Sequence, residues 1–256
     1  MKIISLLFAS FILISCTDNT VTVLEESVDE FKIKAINYIP NGDEDYENNF
    51  EYDNSGKLIH SKDHHYSTRF KLYEYYGNDK LKLVSTYSTL ENEEPKLIGK
   101  DSISYNEDSS ISTVVTSWRN DNEEVLPDLI YTYEYKDDVL IIKQESPNRP
   151  QEYLTKYFWE AGNITKTQRF SSEDKLDIEF FYNYDEKYNF KKDSPLFVTD
   201  PFSLTQNNVT RYNAKDYTGL YDPVCNPCRT FYNYNSEGLP VEVNHEWNKI
   251  FKILYQ

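Results

Sequence analysis

The chain has 256 residues and a formal net charge of −16 at pH 7, with 23 tyrosines against 7 glycines and a single methionine. A charge of this sign argues against a nucleic-acid binder, which needs a basic face, and against attachment to anionic lipid by charge alone. Tyrosine favours strands and joins an apolar ring to a polar hydroxyl, so the composition predicts extended β-sheet.

The first sixteen residues have the layout of a bacterial lipoprotein signal. Lys2 supplies a positive charge, residues 3–14 are apolar apart from two serines, and Ser15 precedes Cys16. The apolar run is shorter than the ~20 residues that span a bilayer and fits the core of a cleaved signal. The alternative is an ordinary secretory signal with a cysteine there by chance. We predict a signal peptide at 1–15 and a lipid anchor on Cys16, with palmitate-like acyl chains.

A polar segment and a single domain follow the leader. Residues 17–30 are polar and acidic without a strong period, which predicts that 16–30 form a tether from the lipidated Cys16. The remaining residues, 31–256, are numerous enough for one large all-β domain with a sizeable core.

From residue 31 onward the chain repeats a loose hairpin unit. Each unit has an aromatic strand, a turn of Asp, Asn, Ser or Gly, and an aliphatic strand; clear copies lie at 50–59, 73–81, 131–141 and 231–241. Gly56 suits the positive φ of a tight turn, and Tyr131, Tyr133 and Tyr135 fall on one face of a strand. Such repetition predicts a long curled antiparallel meander, either left as an incomplete cylinder or closed into a barrel, with little helix.

The stretch 187–229 interrupts this pattern. It holds Pro195, Pro201, Pro223 and Pro227, and prolines at this density exclude central strands. We predict a long irregular connection with a short helical turn. Long ordered loops are usually functional, so we expect it to form a contact surface.

The hairpin units resemble the YD repeats of large secreted wrapping proteins, and Tyr52, Asp53, Gly56 and Leu58 match that motif. The chain is more similar to a group of Bacteroidota lipoproteins of unknown function, which have a lipobox, YD-like hairpins and two further short motifs. The segments Tyr184-Asp185-Glu186-Lys187-Tyr188-Asn189-Phe190 and Asn207-Asn208-Val209-Thr210 correspond to those motifs. The resemblance implies a porin-like or barrel-like antiparallel sheet, and it assigns no activity.

The resemblance also bears on location. In such lipoproteins, acidic residues just after the lipid cysteine accompany export to the cell surface, and Asp18 is a weak version of that signal. The expected location is therefore the outer membrane, with the cell surface favoured over the periplasmic face.

Cys225 and Cys228 form the sharpest local motif. Arg229 and the strand-like residues after it do not suit a thioredoxin-type helix or a haem attachment, which needs a histidine at that position. One pair supplies two of the usual four zinc ligands. We predict a structural role, either as a short-range disulfide or as a free pair that braces the connection.

Other polar clusters have ordinary explanations. His60, His64 and His65 match no recognised metal-binding spacing, and the recurrent acidic turns match no calcium loop. Trp118 and Trp247 are the aromatic residues expected to be exposed. We therefore predict no metal site and no cofactor.

These observations favour a non-catalytic outer-membrane lipoprotein that acts as an accessory or partner-binding subunit of an envelope protein complex. A surface module that binds a glycan or another ligand is the alternative. An envelope hydrolase ranks third, because acidic residues are too common here for any pair to indicate catalysis.

Overall fold

The structure is a computed structural model and describes residues 32–40, 46–63, 68–89, 94–171, 174–192, 194–219, 226–246 and 249–256. The predicted leader and tether, with Cys16, lie outside the described residues. So do Cys225, Trp247, His64 and His65. Among the described residues, no helix has the length and apolar character needed to cross a bilayer.

The described strands form one closed antiparallel barrel, in which each strand pairs with its neighbours in sequence and the last pairs with the first. The strands are β1 (Ile33–Pro40), β2 (Tyr46–Tyr52), β3 (Leu58–Asp63), β4 (Arg69–Tyr75), β5 (Leu81–Ser88), β6 (Lys96–Tyr105), β7 (Ile111–Arg119), β8 (Val125–Lys136), β9 (Val139–Ser146), β10 (Arg149–Glu160), β11 (Asn163–Phe170), β12 (Leu176–Tyr188), β13 (Asn207–Asp216), β14 (Cys228–Tyr234), β15 (Pro240–His245) and β16 (Lys249–Tyr255). The predicted all-β meander is confirmed, and of the two predicted forms the structure shows the closed barrel.

The repeated hairpin has a defined geometry. In its clearest copy, Asp53 Oδ1 accepts hydrogen bonds from the backbone N–H groups of Ser55 and Lys57, and Gly56 has φ 88°. The predicted tight turn is confirmed. The hairpins β2–β3, β4–β5, β6–β7, β10–β11 and β14–β15 each carry a register shift beside the turn. A β-bulge strengthens strand twist, which helps a sheet to close.

Alternation along the strands places apolar side chains inside the barrel. Tyr133 and Ile142 are buried, whereas their neighbours Glu134 and Lys143 are exposed. The predicted shared face of Tyr131, Tyr133 and Tyr135 is the inner one. Further exposed outward positions include Glu74, Ser102, Ser104, Thr132, Glu145, Arg229, Asn233 and Lys252.

The connection predicted at 187–229 is irregular only in part. Two 3₁₀ helices, Pro195–Phe197 and Pro201–Leu204, begin at prolines as expected. Strand β13, however, lies inside the predicted connection and pairs with β12 along most of its length. The prolines flank this strand instead of interrupting it, and its polar side chains obscured the alternation in the sequence.

Candidate functional site in the barrel lumen

One end of the barrel, which carries the turns after the even-numbered strands, is lined by tyrosines. We call it the tyrosine end. The hydroxyl of a tyrosine near the end of a strand donates a hydrogen bond to a backbone carbonyl near the start of the preceding strand. These pairs are Tyr52 with Ile33, Tyr75 with Leu58, Tyr105 with Leu81, Tyr184 with Ile164, Tyr232 with Val209 and Tyr255 with Pro240. The repeated aromatic residue of one hairpin unit therefore bonds to the strand that precedes it, and so ties successive units together.

Burial keeps these phenols protonated. Desolvation is the main reason why the pKa of Tyr75 and the pKa of Tyr105 rise to about 12. The same cause raises the pKa of Tyr184 and Tyr232. Leu58 and Ile164, which are aliphatic residues of the hairpin unit, are fully buried.

A segment between β12 and β13 folds back into the barrel. We call residues 189–206 the plug. Leu196 and Phe197 pack against the buried cluster that includes Ile253 on one side of the wall. Val198 packs against the cluster on strands β5 to β9, and the ring of Phe202 lies 4.9 Å from that of Tyr182. The plug thus joins two walls of the lumen through apolar contacts. Loops normally lie on the surface, whereas these half-buried residues pack against the core from inside the barrel.

Polar side chains connect the two ends of the plug to each other and to strands β12 to β14. We call these residues the latch: Asp185, Asn189, Thr205, Asn208 and Tyr234. Asn189 Nδ2 donates to the Phe202 carbonyl at 2.7 Å and to Thr205 Oγ1 at 2.9 Å. Asn208 donates its backbone N–H to Asp185 Oδ1 at 3.1 Å, and the Tyr234 hydroxyl donates a short hydrogen bond to Asp185 Oδ2. Asn189 and Asn208 are 3% and 2% exposed. The latch joins the two short motifs that carried the lipoprotein resemblance.

The plug leaves two cavities in the lumen. The first, of about 460 Å³, lies beside the latch and is lined by residues of β1, β2, β12 to β16 and the plug. The second, of about 400 Å³, is lined by residues of β1 to β5, β7 and the plug. Ile36, Asn48 and Phe197 line both. In the described part of the chain, Asn48 Oδ1 is buried without a hydrogen-bond partner. A donor that reached it would recover the roughly 1–3 kcal/mol that such a group costs.

Solvent reaches the second cavity from the end opposite the tyrosines, which we call the tryptophan end. Trp118 lines this cavity near the end of β7 and is 45% exposed. Lys71 also lines it and pairs in register with Ser61 and Thr86, which are buried. An inward aromatic ring and an inward cation that water can reach are features of a ligand-binding cavity.

The structure locates some of the residues singled out in the sequence. Cys228 is buried and belongs to a disulfide, but the pairing with Cys225 stays a prediction. His60 Nδ1 lies 3.4 Å from a Glu51 carboxylate oxygen. No grouping of three or more potential metal ligands occurs among the residues that the structure describes. Trp118 is exposed as expected, and the structure adds that it faces the lumen.

Sequence reasoning missed Lys71, which lines the second cavity, and Gly99, which lies beside the cavity residue Trp118. Gly99 lies within β6, directly opposite Trp118, and a glycine inside a strand pattern is itself a signal of close approach. Lys71 carried no such signal, because alternating charged residues usually point to solvent.

Comparisons with known proteins reveal a structural likeness. No protein-family model and no curated protein matches the chain. A porin-like protein from Bacteroides vulgatus ATCC 8482 superposes with a TM-score of 0.56 at 16% identity, over 88% of this chain and 98% of that one. The two chains share a fold.

Two further solved structures are similar at lower scores. A porin-like protein from Bacteroides uniformis ATCC 8492 gives a TM-score of 0.39 at 12% identity, over 88% of this chain and 98% of that one. The Tc holotoxin pore of Photorhabdus luminescens gives 0.31 at 15% identity, over 78% of this chain and 9% of that one.

Proposed function

We propose that the chain is a non-catalytic binding protein, tethered to the outer membrane through lipid on Cys16, that holds a ligand at the tryptophan end of its lumen. The observation that carries this proposal is the second cavity, where Trp118 and Lys71 face inward yet remain exposed. A shaped cavity with aromatic walls and a few polar groups is the usual form of a ligand site.

The side chains of the outer wall favour a barrel that is surrounded by water next to the membrane. Strands that face lipid present an apolar band outward and polar side chains inward. Here Glu134 and Lys143 are exposed and point outward, next to the buried, inward-facing Tyr133 and Ile142. A lipid anchor supplies the membrane attachment that such a wall does not, and more than one acyl chain makes that attachment stable. We place the barrel on the cell-surface side.

The charges around the second cavity suit binding better than hydrolysis. A glycosidase needs two carboxyl groups across the scissile bond. Burial is the main cause that raises the pKa of Tyr73, and the charge of Asp101, on the inner wall beside the cavity, adds to it. Asp101 also accepts a hydrogen bond from Thr116 at 2.7 Å. The cavity itself is lined by the cations Lys71 and Arg69.

A ligand in the lumen is favoured over a protein partner on the outer wall. Each described strand already pairs on both sides, so a partner cannot extend the sheet. The exposed large apolar side chains of the wall, such as Leu72, Phe181 and Phe231, lie on different strands and do not adjoin in register. A partner protein would gain little apolar contact from this surface.

The test compares substitutions at two neighbouring residues whose side chains point to opposite faces of the barrel wall. Lys71→Trp fills the second cavity, whereas Leu72→Trp places the same side chain on the outer wall, where Leu72 is 39% exposed. The full chain and both variants are incubated with envelope extract, and retained small molecules and proteins are identified by mass spectrometry. We expect wild type and Leu72→Trp to retain the same small molecule and Lys71→Trp to lose it. Retention of a partner protein alone, or equal retention by Lys71→Trp, would contradict the proposal.

A further inference from the structure

A single row of inward positions crosses the wall of the second cavity. Register pairs connect Trp118 on β7, Gly99 on β6, Thr86 on β5, Lys71 on β4, Ser61 on β3 and Phe50 on β2. Neighbouring strands lie about 4.8 Å apart, so the row extends for roughly 24 Å along the wall. Aromatic rings stand at its two ends, and Gly99, Thr86, Lys71 and Ser61 lie between them. The row therefore offers an extended ligand a line of contacts along the wall.

Gly99 makes Trp118 a platform. A Cβ at Gly99 would lie 2.7 Å from two atoms of the Trp118 six-membered ring, so the indole lies directly against the glycine backbone. One face of the indole is thus covered, and 45% of the residue stays exposed. A flat ring supported on one face and accessible on the other is suited to stack on a ligand ring.

The middle of the row supplies a cation and hydroxyls. Lys71 lies between Ser61 and Thr86, and Ser61 Oγ is 3.0 Å from the Tyr73 hydroxyl. Arg69, two residues before Lys71 on the same face, adds a second positive charge to the lining. In a chain with a net charge of −16, cations that line an inner cavity are unlike the rest of the molecule and favour an anionic ligand.

We propose that this row binds an acidic oligosaccharide, with one sugar ring stacked on Trp118 and the carboxylate of a neighbouring sugar paired with Lys71. The inference rests on the proposed function and adds the ligand class. An oligosaccharide combines length, flat apolar ring faces and many hydroxyl groups, and the row has a complement for each. A carboxylate on such a chain is a complement for Lys71, which lines the cavity.

The experiment measures binding of trigalacturonate to the full chain in detergent by isothermal titration calorimetry, with maltotriose as the neutral probe. We expect trigalacturonate to bind at least tenfold more tightly than maltotriose. Lys71→Gln should remove most of that difference and reduce the salt dependence of binding. Trp118→Ala and Gly99→Ala should each weaken both probes about tenfold, because the first removes the platform and the second displaces the indole.

Matched controls separate the row from the rest of the barrel. Lys143→Gln and Phe231→Ala change an exposed cation and an exposed aromatic residue on the outer wall, and we expect both to bind like wild type. Far-ultraviolet circular dichroism checks that each variant is folded.

Three results would overturn the ligand class. They are equal binding of the neutral probe, tighter binding of an oligoglutamate peptide than of trigalacturonate, and absence of binding to every uronic-acid oligomer on a glycan array at millimolar concentration. None of these results tests whether the lumen holds a ligand at all. That question is decided separately by the capture experiment with Lys71→Trp.

Discussion

Titration from pH 9 to pH 12 is expected to unfold the barrel in one cooperative step. Burial raises the pKa of Tyr75, Tyr105 and Tyr157 to about 12, whereas the pKa of an unfolded tyrosine is about 10. Below pH 10 both states keep the phenol proton, so stability does not change. Between pH 10 and pH 12 the unfolded chain loses protons that the native barrel retains, and unfolding becomes more favourable.

The effect is large because many tyrosines contribute. A buried tyrosine that stays protonated in the native barrel takes up to roughly 1.4 kcal/mol per pH unit from the stability in this window, and a partly exposed one takes less. The tyrosinate absorbance near 295 nm and the strand signal in circular dichroism should therefore change together. The control is the chain in urea, whose tyrosines should titrate gradually around pH 10. Gradual native titration near pH 10, with the strand signal intact, would show that these tyrosines are not buried.

Replacing Asn189 by leucine is expected to lower the free energy of unfolding by about 3 kcal/mol. Asn189 is 3% exposed, and its side chain bonds the Phe202 carbonyl, the Thr205 carbonyl and Thr205 Oγ1. Loss of the amide leaves buried polar groups without this partner, at about 1–3 kcal/mol each. The measurement is the urea midpoint at neutral pH, with the slope of the transition checked for two-state behaviour.

The matched control is Asn183→Leu, which changes an exposed outward asparagine on β12, the strand that leads into the plug, and should leave the midpoint unchanged. A second readout follows the plug directly. Trypsin should cut the Asn189→Leu protein sooner after Lys191 or Lys192, because opening of the latch exposes the plug. Wild-type stability together with wild-type protease resistance would show that Asn189 does not hold the plug in place.

The local features of the barrel follow from the sequence. The turn at Asp53 and Gly56 was predicted from hairpin chemistry, and the shared face of Tyr131 and Tyr133 from period-two alternation. Both depend on residues that are close in sequence. The same short-range chemistry is repeated along the chain, and a repeated hairpin identifies a meander before its closure is known.

The latch and the binding row are beyond such reasoning because they depend on long-range register. Asn189 and Thr205 are brought together by the fold of the plug, and Asn208 reaches Asp185 because β13 returns beside β12. Lys71 and Trp118 share a row only because the bulges set the register of the strands between them. Strand β13 was missed because its polar side chains follow no clear alternation, and the neighbouring prolines favoured a loop.

The central claim is that a water-facing barrel is tethered to the membrane by lipid on Cys16. Fractionation of cells that express Cys16→Ala tests it most directly, with Ser10→Ala as the control that keeps the cysteine. The account predicts that wild type and Ser10→Ala sediment with membranes after a high-salt wash, while Cys16→Ala is recovered in the soluble fraction with an unchanged circular dichroism spectrum. Folded Cys16→Ala that stays in the membrane pellet after the same wash would contradict the account.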